Sequence, residues 1–304
     1  MSNRLKGTLF ALLCVALWAL IPVVAKLGQS KLDNHQFLFW SSLVSFIVLG
    51  LTVLASGKLK YILQFTIKEW GWFSVLGLLG TYIYYLFLYL GYKKATGMEV
   101  LVIQYTWPIL IVIFSIFLLN EQLTWKKCLA IILGFTGVLL VLTKGNITNV
   151  KINNSSVMAL VAAGAACFAL FSVLSKKVAK EPLGVVTVYF LVATVASLIS
   201  MLFFSKFALP SVNEVPAILL NGIIVNGFSY VIWVLALKST EASYLAPFIF
   251  ITPILSAIYL IVFFDEPFLP AYGLGLVFVV IGGLINSVKL PCGSPKRNPR
   301  ENAC

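Results

Sequence analysis

The sequence predicts an all-α integral membrane protein of ten transmembrane helices, arranged as two inverted five-helix repeats. Three observations carry that prediction. Of the 304 residues, 61% are hydrophobic and only 11% charged, with a mean hydropathy of +1.01, whereas a soluble domain is about one quarter charged. The apolar residues gather into ten runs, most of them near the roughly 20 residues that a helix needs to cross a bilayer. The last five runs also repeat the first five at an almost constant offset. The shortage of charge excludes disorder as a global state, and no stretch between runs is long enough for a soluble domain.

In order, the runs are Gly7–Leu27, Gln36–Ser56, Trp70–Tyr92, Gly97–Leu119, Lys127–Leu142, Ser156–Leu174, Gly184–Phe204, Val215–Leu237, Ser243–Phe264 and Tyr272–Val288. None alternates with the period of two that marks a membrane β-strand. The first follows Arg4 and Lys6 as a secretory leader would, but it is long enough to span and has a counterpart in mid-chain, so it reads as a retained helix. The fifth and tenth runs are short and rich in glycine. The repeat shows in paired positions. Pro108 and Glu121, thirteen residues apart, recur as Pro253 and Glu266 at an offset of 145. Tyr85 with Tyr230, Lys93 with Lys238, and Gly137 with Gly282 share that offset, while Ala16–Lys26 matches Ala166–Lys176 at 150. The expected organisation is a first repeat over 1–145, an outer loop over 146–155, a second repeat over 156–289 and a disordered cytoplasmic tail over 290–304.

Five spans per unit is an odd number, so the second unit enters the membrane upside down. Inverted repeats are the architecture of many secondary transporters, whose two halves exchange conformations around a midplane site. The net charge of +12 fits the same picture. With the N-terminus inside, fifteen Lys and Arg fall in inner segments and seven in outer ones. The positive-inside rule then puts both termini in the cytoplasm, at the inner or plasma membrane. The basic surplus is thus a topology signal, and no nucleic-acid partner is expected. Cys14, Cys128 and Cys167 lie in apolar helices, and Cys292 and Cys304 in the tail, with no disulfide framework or metal-ligand spacing. No phosphate-binding loop, HExxH or Ser/His/Asp set is present, so no cofactor, metal or enzymatic role is expected. Asn146, Asn153 and Asn154 open glycosylation patterns in the outer loop.

A family resemblance rests on Trp18 and Lys26 in the first helix, the "P…LNEQLT" stretch from Pro108 to Thr124 and the "P…FFDEP" stretch from Pro253 to Pro267. The "LGFTGVLLV" and "VVIGGLI" runs of the fifth and tenth helices add to it. Duplicated in register, these motifs resemble the EamA type of the drug/metabolite transporter superfamily, from about Gly7 to Val288. The segment Met98–Ser115, "MEVLVIQYTWPILIVIFS", is similar to the Glu-x8-Pro and Tyr-x-Trp-Pro pattern of YddG-type aromatic amino acid exporters. The resemblance implies export of amino acids or related metabolites by alternating access. A small-ion carrier or channel of the same fold, or a membrane-embedded enzyme, are the alternatives. Neither the polar rings of a filter nor a cluster of catalytic residues stands out in the sequence.

Polar groups inside the hydrocarbon region are costly and face the bundle interior. Glu99 either meets a substrate ammonium, or carries a coupling proton, or neutralises Lys93 or Lys94. Its repeat partner is Tyr244, and one turn on come Ile103 and its partner Phe248. Asn226, Tyr230 and Trp233 share one face of the eighth helix, as Thr81 and Tyr85 do in the third. That stripe either lines a cavity for an amphipathic or aromatic metabolite or packs against neighbouring helices. Gln104 either binds substrate or satisfies backbone freed by Pro108. Trp18 and Phe168 sit mid-span, lining the pathway or packing. Pro22, Pro108, Pro247 and Pro253 mark kinks, either hinges between states or static bends. Lys26 and Lys176 end matching helices, and Glu121 and Glu266 are expected to cap helices or pair with basic groups. The implied partners are a small molecule, the bilayer and protons. The implied assembly is a monomer or weak dimer.

Overall fold

The structure, a computed structural model, describes residues 2–95, 97–146, 154–264 and 269–287. Its ten long helices match the ten runs. They are α1 (Asn3–Trp18 and Ile21–Gly28), α2 (Asn34–Ala55), α3 (Ile67–Lys94) and α4 (Gly97–Gln104 and Trp107–Leu119). Then come α5 (Trp125–Leu142), α6 (Ser155–Ser175), α7 (Pro182–Phe204) and α8 (Val215–Ser239). Last are α9 (Ala242–Leu245, Ala246–Ile251 and Thr252–Phe264) and α10 (Pro270–Ser287). The short fifth and tenth runs prove to be 18-residue helices. Glu266, Pro267, Asn153, Cys292, Cys304 and the tail lie outside the described residues.

Helix starts show why the chain folds into these units. The first amide groups of any helix lack partners within it, and here short polar side chains supply them. Asp33 accepts from the N–H groups of His35 and Gln36, and Gln36 Oε1 accepts from the Asp33 N–H, a reciprocal capping box at the start of α2. Thr66 and Glu69 build the same device for α3. Thr124, Asn154 and Glu181 cap α5, α6 and α7.

The packing repeats with the sequence. Helix α1 lies along α8, and its counterpart α6 lies along α3. Two further pairs join equivalent helices of the two halves, α2 with α7 and α5 with α10. In the second of these pairs glycine is required. A Cβ on Gly137 would come 2.7 Å from the Gly275 carbonyl, and one on Gly275 would come 2.4 Å from Val141.

Several of these helices are irregular in mid-course. The α1 helix is interrupted at Ala19–Leu20 and α4 at Tyr105–Thr106, while α9 narrows to a 3-10 turn over Ala246–Ile251. Each resumes with a residue followed by proline: Ile21–Pro22, Trp107–Pro108 and Thr252–Pro253. Helices α3 and α8 carry π-helical turns over Leu78–Ile83 and Asn221–Phe228, the first of which falls within the second when the repeat offset is applied.

Ion pairs join the turns on the face that the charge bias predicts to be cytoplasmic. Lys58 meets Glu181 at 2.7 Å, Lys180 meets Glu69 at 3.0 Å, Lys127 meets Glu241 at 2.7 Å and Lys176 meets Glu121 at 3.4 Å. Glu121 also takes the N–H groups of Ala242 and Ser243, both at 2.9 Å, and so caps α9 as expected of it. On the opposite face the Glu214 carboxylate takes the N–H groups of Lys31, Leu32 and Ser211 at 2.8–2.9 Å, tying the α1–α2 turn to the α7–α8 turn.

Candidate functional site

The breaks in α1, α4 and α9 meet at one internal cavity. Its lining is Trp18 and Ile21 from α1, Tyr84 and Tyr85 from α3, Gln104, Tyr105 and Trp107 from α4, Phe168 from α6 and Thr252 from α9. Both halves contribute, and no charged side chain takes part. The free space among these side chains is about 20 Å³, room for about one water molecule.

Aromatic rings hold the lining in place. The Trp18 ring lies 5.9 Å from Trp107 and 5.7 Å from Phe168, in both cases edge to face. Phe168 in turn lies 4.6 Å from Tyr84 and 4.8 Å from Trp107. Such pairs are worth about 0.5–1.5 kcal/mol each beyond their burial. The Trp18 indole N–H donates to Ser229 Oγ at 2.8 Å, which fixes α1 against α8. Gln104 Nε2 donates to the Tyr84 hydroxyl at 2.7 Å, and the Tyr92 hydroxyl reaches Gln104 Oε1 at 3.5 Å. The Gln104 amide therefore serves tyrosine hydroxyls rather than the backbone beside Pro108.

The residues singled out in the sequence separate into groups. Trp18, Tyr85, Gln104 and Phe168 come together in the lining. Tyr230 and Trp233 form a second layer behind it, with rings 6.1 and 5.3 Å from Trp18. The Tyr230 hydroxyl donates to the Gly80 carbonyl at 2.9 Å, and the Trp233 indole donates to Ser172 Oγ at 3.0 Å. Asn226 is fully buried, and neither of its amide atoms has a hydrogen-bond partner, contrary to a bond with a neighbouring helix. Thr81 turns away, donating to the Gly77 carbonyl at 2.6 Å with the Tyr189 carbonyl at 3.1 Å. Glu99 is buried in α4 but, like Ile103, is not part of the lining.

Tyr244 and Phe248 fall elsewhere. The Arg4 guanidinium lies 4.0 Å over the Tyr244 ring, the Tyr244 hydroxyl pairs with Thr8 Oγ1 at 3.1 Å, and the Phe248 ring meets Tyr244 edge to face at 5.5 Å. Their distance from the cavity has a physical cause. Tyr244 lies eight residues, about two helical turns, before Thr252, and the equivalent face of α4 with Glu99 and Ile103 likewise stays out of the lining. Of the four prolines, Pro22, Pro108 and Pro253 stand second in resumed helices beside the cavity, and Pro247 stands second in the 3-10 turn.

Ile21, Tyr84, Tyr105, Trp107 and Thr252 line the cavity without being candidate site residues in the sequence. The signal for Thr252 was available, since Thr252–Pro253 is the repeat image of Trp107–Pro108. Tyr84 was hidden by helical arithmetic. The α-helical spacing puts Thr81 and Tyr85 on one face, but the π turn over Leu78–Ile83 adds a residue to the turn and brings Tyr84 to the cavity beside Tyr85.

Comparison with known proteins gives concordant results. The model of the EamA-like transporter family matches this chain over residues 5–143 and again over 155–288. An uncharacterized transporter of Archaeoglobus fulgidus is 25% identical, over 92% of this chain and 94% of that protein. The aromatic amino acid exporter YddG of Ancylobacter novellus is 25% identical over 86% of this chain and 89% of its own length. The YddG exporter of Salmonella typhimurium is 24% identical over 92% and 96%. A solved crystal structure superposes with a TM-score of 0.82 at 22% identity, covering 92% of this chain and 97% of that one.

Proposed function

The chain belongs to the EamA-like transporter family, and on that premise we propose that it exports an aromatic or amphipathic amino acid, or a related metabolite, by alternating access. The observation that carries this reading is the uncharged, ring-lined cavity at the helix breaks of both halves. Apolar ring faces suit the body of such a solute, and Gln104 and the tyrosine hydroxyls suit its polar atoms. Trp18, Tyr85, Gln104 and Phe168 contact the solute in this reading, while Asn226, Tyr230 and Trp233 support them. Pro22, Pro108 and Pro253 act as hinges. Glu99, a buried carboxylate in α4, carries the coupling proton. Both termini face the cytoplasm across the plasma membrane, in keeping with the charge bias and the even number of spans.

The test is counterflow of labelled phenylalanine in proteoliposomes. Saturable uptake that is accelerated by unlabelled solute on the far side is expected. Tyr85→Ala and Phe168→Ala should each reduce it at least tenfold, while Lys31→Ala in an outer turn leaves it unchanged. Linear, non-saturable flux, or full activity in both ring variants, refutes the assignment.

A further inference from the structure

Ile21, Trp107 and Thr252 are each the first residue of a resumed half-helix, and all three line one cavity. A helix N-terminus carries about half a positive charge. Two helices, those starting at Ile21 and Trp107, thus direct their positive ends into a space that holds no charged side chain, while the Thr252 N–H already donates to the Ile249 carbonyl where the 3-10 turn runs on into the helix. Each break also leaves a negative, carbonyl-bearing end, but hydroxyl donors cover two of these. Ser256 Oγ donates to the Ala19 carbonyl at 2.9 Å in the α1 break, and Thr106 Oγ1 donates to the Ile103 carbonyl at 2.7 Å in the α4 break. No side chain caps the amide ends at Ile21 or Trp107. Thr252 supplies an independent sign. Its side chain is 4% exposed and lines the cavity, and its Oγ1 has no hydrogen-bond partner. Leaving a buried hydroxyl unpaired is costly, so this one is poised for a partner that enters.

We propose that the carboxylate of the solute is the group this cavity recognises, seated between the half-helix starts at Ile21 and Trp107 with Thr252 Oγ1 donating a hydrogen bond to it. The rings of Trp18, Tyr84, Trp107 and Phe168 then take the apolar part. The arrangement selects an acid or zwitterion over an amine of the same shape. It rests on the reading of this cavity as the solute site.

Isothermal titration of the detergent-purified protein with phenylalanine, 3-phenylpropionate and 2-phenylethylamine tests the proposal. Both acids should bind, and the amine at least tenfold more weakly. Thr252→Val should weaken both acids about tenfold and leave the amine unaffected, whereas Thr252→Ser should bind like the original protein. Should Thr252→Val not fold, the acid–amine contrast together with Thr252→Ser decides. An amine that binds as tightly as 3-phenylpropionate, or a Thr252→Val effect equal on all three, overturns the carboxylate site and leaves the aromatic-solute reading standing. Absence of binding by all three overturns both.

Discussion

Glu214 shows how a single carboxylate can join two turns of a protein with few acids. Burial works against its ionisation, but the Ser211 and Lys31 N–H groups, the Ser211 hydroxyl and the Leu32 N–H outweigh it. Together they hold its pKa near about 2, below the ordinary 4.5. A carboxylate whose pKa is lowered by folding stabilises fully above the unfolded value and loses that contribution as pH falls through the folded one. Thermal denaturation across a pH series should therefore show stability draining between 4.5 and about 2. Glu214→Gln should lower the melting temperature at neutral pH and flatten that acid limb. Glu121 follows the same rule on the other face: burial raises its pKa, and the Ser243 hydroxyl and N–H, the Ala242 N–H and Lys176 bring it below the ordinary value. The capping role of Glu121 was legible from its place after α4, because an acid beside a turn has few other uses. The role of Glu214 was not. Its partners Lys31 and Leu32 are more than 180 residues away in sequence, and no local pattern reports such a contact.

The half-helices set the next scale. In a helix interior proline removes a hydrogen bond and collides with the preceding turn, at about 3 kcal/mol. Here Pro108 and Pro253 sit just inside resumed helices, where that penalty largely vanishes. Restoring the amide should let each junction close toward a continuous helix. The double variant Pro108→Ala with Pro253→Ala is expected to fold and bind phenylalanine within about twofold of the original, while its counterflow slows at least fivefold. Titration and flux measured on one preparation check this, and undiminished flux would make the prolines static bends. Proline marked the α4 and α9 breaks in the sequence, since its chemistry is local. The π turns of α3 and α8 left no such mark. They differ from α-helix by one step in backbone pairing over a few residues, which hydrophobic periodicity cannot resolve. Tyr244 and Phe248 were expected at the cavity together with their repeat partners Glu99 and Ile103, and the face that carries all four lies outside the lining in both halves.

At the scale of the whole molecule, ten spans, their boundaries to within a few residues and their pairing in two sets of five were legible in the apolar runs and the 145-residue offset. Membrane thickness imposes run length, and duplication preserves spacing, so both survive as sequence patterns. The cavity was legible only in part, because it is assembled where five helices converge, and convergence is a property of packing. Its lining carries no formal charge, and this has an electrical consequence. One elementary charge crossing a membrane under 100 mV exchanges about 2.3 kcal/mol with the field. A carrier that reorients around an uncharged cavity, empty or holding a zwitterion, exchanges almost none. Without its coupling proton, in the Glu99→Gln variant, phenylalanine flux should then be the same at potentials of either sign imposed by potassium gradients and valinomycin, whereas the original protein responds to them. In the proposed reading, any voltage dependence measured in that assay counts the charge of a proton carried at Glu99, and the resting potential of the cell drives transport only through that residue.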